Sequence, residues 1–129
     1  MSDLSSRCPP VFLKKTEDFE RVKREGKRIT TRFFNVVSCR SGPGNPRVGI
    51  VVGRRLGNAV VRNRGKRIFR ELVRHTYQRL VKGYDIVIFP KRPALELNHQ
   101  RLQEAWITTL ISQELMFAPN PPAPLVRGV

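Results

Sequence analysis

A small α+β sandwich, with helices laid against a central sheet, is the fold class this sequence predicts. Three observations lead to it. Short runs rich in β-branched and aromatic residues, TRFFNVVSCR at 31–40, RVGIVVG at 47–53 and DIVIF at 85–89, read as strands. Stretches of helical periodicity lie before, between and after them. At 129 residues the chain fits one domain that can bury a core without disulfide or metal staples. The expected order is helix, strands, helix, strand, helix, in one domain over residues 1–118. Pro119, Pro121, Pro122 and Pro124 make 119–129 a flexible tail.

Residues 1–11 read as loosely ordered, with Cys8-Pro9-Pro10 favouring an extended strip. Thr16 is placed to cap a short helix over 17–25, with Glu17 and Asp18 in the first turn, where the helix dipole favours acids. Gly26 stops it. The strand at 31–40 is followed by a loop, Ser41-Gly42-Pro43-Gly44-Asn45-Pro46. The run at 47–53 is apolar enough to be buried on both faces, and an antiparallel hairpin is the economical pairing of these two strands. Gly57-Asn58 turns the chain, Asn58 caps a long helix from Ala59 to about Lys82, and Gly83 ends it. The strand at 85–89 is closed by Pro90 and Pro93. Asn98 caps a last helix over 99–117, with Leu102, Ala105, Trp106, Leu110 and Phe117 on one face. The strand–helix–strand step across 47–89 is expected to be right-handed if its strands are parallel neighbours.

The long helix carries the charge. Between Arg54 and Arg74 stand eight basic residues and one acid, Glu71, which is +7 of the chain's net +15. On a helical wheel Asn63, Lys66, Arg67, Arg70 and Arg74 share an arc of about 100°. Val61, Ile68, Phe69, Leu72 and Val73 lie opposite, with Arg62 at the border and Arg64 on the back near Glu71. Gly65 sits in the apolar arc, where a missing side chain permits close packing at a helix cost of about 1 kcal/mol. A merely solvated face would mix signs at i, i+4 spacing; this face does not. Arg54 and Arg55 add cations beside the helix N-terminus, itself favourable to anions.

A pI near 11.4 narrows the partners to nucleic acid or an anionic membrane surface. No apolar run approaches the roughly 18 residues of a spanning helix, and no signal-peptide h-region is visible, so a cytoplasmic, membrane-free protein is expected. Cys8 and Cys39 form no disulfide or metal pattern, and His75 and His99 have no neighbours at ligand spacing. The ten acids are scattered, whereas a metal nuclease holds carboxylates together. A strand and a glycine turn precede the basic helix, which disfavours a helix-turn-helix. Aromatic residues such as Phe19, Phe33 and Phe34 offer stacking for unpaired bases. The chain reads as a binder of irregular or single-stranded RNA, without catalytic residues of its own.

The stretch RVGIVVGRRLGNAVVRNRGKRIFRELVR, with Arg62-Asn63-Arg64 followed by Lys66-Arg67, closely resembles the signature of the bacterial ribonuclease P protein subunit. Phe12-Leu13-Lys14-Lys15 leading into Glu17-Asp18-Phe19 is similar to that family's first helix, and Tyr84-Asp85-Ile86-Val87-Ile88 to its last strand. The resemblance implies a ribosomal-protein-like domain with a left-handed crossover, against the right-handed expectation. It implies a subunit that joins a catalytic RNA to mature the 5′ ends of precursor tRNAs, with bond breaking and its Mg²⁺ ions on the RNA. The implied assembly is one protein monomer to one RNA, with no cofactor bound by the protein alone. Carried over by position, Arg62, Asn63, Arg64, Lys66, Arg67 and Arg70 would contact RNA, joined by Arg54, Arg55 and Arg74. Phe19, with Phe34 and Val37 on the first strand, would line a cleft for the single-stranded 5′ leader. Lys23 and Val37 stand where many members carry aromatics, and Gly65 where they carry a bulky apolar residue. The alternative reading is a ribosomal or other structural RNA-binding protein with no role in cleavage.

Overall fold

The computed structural model describes residues 9–117; Cys8 and the expected tail at 119–129 lie outside them. Five strands, β1 (Val11–Phe12), β2 (Lys27–Thr30), β3 (Phe34–Arg40), β4 (Arg47–Ile50) and β5 (Tyr84–Pro90), form one sheet in the order β1-β4-β5-β3-β2. Helix α1 (Thr16–Glu25) covers part of one face, and α2 (Ala59–Thr76) and α3 (His99–Ser112) pack on the other. The α+β sandwich is as expected, but its pairing is not. The expected hairpin between the strands at 31–40 and 47–53 does not form, because β5 lies between them, antiparallel to β3 and parallel to β4. Gly42 and Gly44, at φ +97° and +126°, let the connecting loop carry β4 past that place. Strand β5 is thereby buried on both faces, which suits its unbroken apolar run, Ile86-Val87-Ile88.

β3 starts at Phe34 rather than Thr31. Thr31 Oγ1 accepts from Phe33 N and Phe34 N at 3.2 and 3.0 Å, closing a turn that joins β3 to the unexpected edge strand β2. Lys15 occupies the N-cap of α1 without a side-chain bond, so Thr16 is the first helical residue and not the cap. Asn58 and Asn98 do cap their helices, accepting from Val61 N and Arg101 N. α2 ends at Thr76, short of Lys82, and tightens into a 3₁₀ turn, Tyr77–Arg79. α3 likewise ends at Ser112. The chain reverses at Glu114, Met116 bridges to Leu80, and Phe117 is left exposed rather than on the helix face.

The handedness of the β4–α2–β5 crossover follows from residue chirality. Val48 turns its side chain to the α2 face, and its carbonyl accepts from Leu13 N on the β1 side at 2.8 Å. Viewed from α2 with β4 running upward, an L-residue whose side chain faces the viewer points its backbone polar groups to the right. β1 is therefore on the right and β5 on the left, and a chain passing in front as α2 to enter β5 makes a left-handed crossover. This is the hand that the family resemblance implies, and it corrects the right-handed expectation drawn from strand–helix–strand geometry alone. The core on this face centres on Phe34, packed edge-on against Phe69 and Trp106 at 6.0 and 5.7 Å between ring centroids. Trp106 Nε1 donates to Thr76 Oγ1 at 2.9 Å, so the buried indole keeps a partner.

Candidate nucleic-acid interface

The amphipathic design of α2 is realised. Phe69, Leu72 and Val73 are fully buried, while Asn63, Arg67, Arg70 and Arg74 are exposed and Lys66 is half-buried. Gly65 is buried against the turn preceding the helix, where an added Cβ would come 2.9 Å from Leu56 Cδ2. Leu56 itself is buried and anchors the 3₁₀ turn Arg54–Leu56, leaving Arg54 and Arg55 in solvent. Gly57, at φ +149°, then lets the chain swing into the helix. Arg62 braces that swing, donating through Nη1 to Gly57 O at 3.0 Å. Arg70 lies over the Phe12 ring, 6.0 Å from its centroid, with its charge still open to water.

Two of the expected contacts stand apart. Arg64 points to the back of the helix, Nη2 3.4 Å from Leu95 O. Arg74 pairs with Glu71 at 2.9 Å, an exposed pair of small energy that a phosphate can outcompete. Glu71 also lies 3.8 Å from His75.

The second candidate surface opens where β1 stops. Its pairing with β4 ends at Val48, so among the described residues no strand lies beside the C-terminal half of β4 on that side. Phe19 of α1 lies across the backbone there; a Cβ on Gly49 would run into Cε1 and Cζ of the ring. Only glycine lets the half-buried ring lie this close to the sheet. A cleft results, walled by Thr16, Phe19, Glu20 and Lys23 of α1, floored by Ile50–Val52, and closed by Lys66 reaching across from α2. Lys66 thus belongs to both surfaces. Phe34 and Val37, expected in the cleft, are not part of it. Phe34 faces the opposite side and is sealed in the Phe69–Trp106 cluster, because alternation along β3 sends it to the α2 face. Val37 is on the α1 face but is sealed beneath it with Val22, Cys39 and Val87.

One charge cluster was not expected from the sequence. Asp85, fully buried at the start of β5, accepts from Arg47 Nε and Nη2 at 2.9 and 2.7 Å and from Arg21 Nη2 at 2.5 Å. Asp18 joins them, 3.5 Å from Arg21 and 3.6 Å from Arg47. Burial pushes the Asp85 carboxyl up, but the hydrogen bonds from Arg47 and Arg21 outweigh it and hold it below the usual carboxylate range. The hydrogen bonds to Asp85 raise both arginines in turn. These two cations are spent on tying α1 and β4 to β5. An acid heading an apolar strand was the available signal, since a buried charge needs partners. Among the described residues, no group of three or more His, Cys, Asp or Glu could hold a metal ion, and no helix is long and apolar enough to cross a membrane.

Comparison with known proteins gives one family. The family model Ribonuclease P matches residues 10–113. The ribonuclease P protein component of Natranaerobius thermophilus is 33% identical over 106 residues, covering 82% of this chain and 92% of the relative. That of Finegoldia magna is 38% identical over 95 residues, covering 74% and 83%. Among solved structures, the RNase P protein of Staphylococcus aureus superposes with a TM-score of 0.70 at 29% identity, over 81% of this chain and 96% of that one. The RNase P protein of Thermotoga maritima gives 0.69 at 31% identity, again over 81% and 96%. With its crossover, its basic helix and a family match spanning both surfaces, this chain belongs to the ribonuclease P protein family.

Proposed function

We propose that this chain is the RNA-binding, non-catalytic subunit of the endoribonuclease that matures the 5′ ends of precursor tRNAs. Two jobs follow from its surfaces. The exposed cations of α2, with Arg54 and Arg55, neutralise phosphates of the catalytic RNA. The Phe19 cleft takes the unpaired 5′ leader, one base lying against the ring and the leader's phosphates meeting Lys23 and Lys66. The observation that supports this reading is Lys66, which lines the cleft from the basic helix, so a leader held in the cleft would lie beside RNA bound on that helix. Bond breaking and its Mg²⁺ ions belong to the RNA. The protein's fully buried carboxylate, Asp85, is held between two arginines and sealed from substrate. With Lys23 in place of a second aromatic, leader affinity leans on charge, and it should weaken steeply with salt. One chain binds one RNA.

The test is cleavage of precursor tRNA at low Mg²⁺ by the catalytic RNA, with and without this chain, on substrates with and without a leader. Cleavage is expected only with both components, and the protein should tighten binding of the leader-bearing substrate more than of mature tRNA. Cleavage by the protein alone, or no stimulation of the RNA, would overturn the reading.

A further inference from the structure

Beyond the Phe19 cleft, the α1 side of the sheet carries a second groove, reached across Val51, which lines both. No residue of α1 covers it. Phe89 and Asn35, paired across β5 and β3, form its floor. Arg28, Arg54, Arg55 and Arg92 stand exposed around it. The Arg28 guanidinium lies over the Phe89 ring, 5.7 Å from the centroid. The Asn35 amide oxygen is out of reach of water and has no hydrogen-bond partner among the described residues. An amide oxygen left unpaired beneath a groove is costly to the free protein, so a ligand toward which the amide turns relieves that cost.

We propose that this groove is a base pocket: it holds one unpaired nucleobase of the precursor leader, stacked on Phe89, with the Asn35 amide reading its edge. The inference rests on the leader-binding role proposed above and adds a specificity determinant to it. An amide carries one acceptor oxygen and one donor nitrogen, and either can pair with a polar atom on a base edge. Rotation about its last torsion, which is soft, turns either atom to the groove. Arg28, on a long exposed stem, lifts from the ring to cover the far face of the base. Arg54 and Arg55 take the flanking phosphates, continuous with the cations of α2. The leader thus runs from Phe19 across Val51 to Phe89, gripped by its bases at both ends.

The test uses the holoenzyme assembled from this chain and its catalytic RNA, with precursor tRNAs in which one abasic nucleotide is walked along the leader. Besides the position served by Phe19, a second position should weaken binding by about 5- to 150-fold, the range of one base–aromatic stack. Phe89→Leu, which keeps apolar bulk and removes the aromatic face, should erase that second effect and leave the first. Asn35→Ala should flatten the preference among the four bases at the second position. It should also melt at the same or a higher temperature than the parent, since it deletes an unpaired buried oxygen. A scan without a second sensitive position overturns the pocket, and so does one whose second effect persists in full in Phe89→Leu. Base preference unchanged by Asn35→Ala overturns the reading role of the amide, and this variant carries the test should Phe89→Leu not fold. A flat scan with the RNA still stimulated on leader-bearing substrates defeats the pocket alone; no stimulation defeats the function beneath it.

Discussion

Arginine serves two opposite purposes in this molecule, and the contrast lies in where the acids are. Arg21 and Arg47 converge on Asp85 and are consumed by the fold. Among the described residues, Arg54, Arg55 and Arg67 have no acid paired with them, and they face water. The side chains are chemically identical. A buried carboxylate turns a cation into a structural tie, and its absence leaves the cation for phosphate. Net charge alone does not separate the two sets, although substitutions do.

The largest expected effect is on the tied set. Asp85→Asn leaves two guanidinium groups facing a neutral amide and should cost about 3 kcal/mol of stability, as breaking a buried pair does, read by urea denaturation. Acid makes the same point with the native chain. The folded pKa of Asp85 lies below its unfolded value of about 3.9. Its contribution is therefore complete above that value and is lost as pH falls through the folded pKa. Stability should drop more steeply below about pH 4 in the parent than in Asp85→Asn. Matching acid profiles would show that the cluster is ornamental.

On the free set the signs reverse. Arg67→Ala should leave stability within about 0.5 kcal/mol. Removing its positive charge from one RNA phosphate should make the salt dependence of binding shallower by about 0.7–0.9 in log–log slope, measured by filter binding across a salt series. Arg70→Ala should show the same slope change with a small added destabilisation, about 0.5 kcal/mol, from its place over Phe12. Collapse of the fold in Arg67→Ala would erase the distinction. The smallest effect is expected at Gly65→Ala. The gain in helix propensity, about 1 kcal/mol, is offset by the displacement of Leu56 Cδ2. A thermal melt should move little, and a large drop would mean that the Leu56 turn holds Arg54 and Arg55 more rigidly than its packing indicates.

Much of this was legible in the sequence. The 3.6-residue period and the capping asparagine placed α2 and its cationic arc, since both signals are local. Phe19 was legible as a cleft residue through its place after Phe12-Leu13-Lys14-Lys15 in a pattern resembling the family's first helix. Phe34 and Val37 were not legible as core, because β3 is buried on both faces and its alternation does not say what covers each. Asn35 and Phe89 were missed for a related reason: nothing local tells that they pair across two strands 54 positions apart and that α1 stops short of them.

By itself, the sequence determined the three helices, the asparagine caps of two of them, the excess of cations and the family, because periodicity, capping and a dense motif are written in neighbouring residues. Tertiary structure alone decided that β5 separates β3 from β4 and which arginines meet Asp85. Those outcomes depend on residues far apart in the chain being buried together, where pairing and desolvation act and sequence spacing is silent.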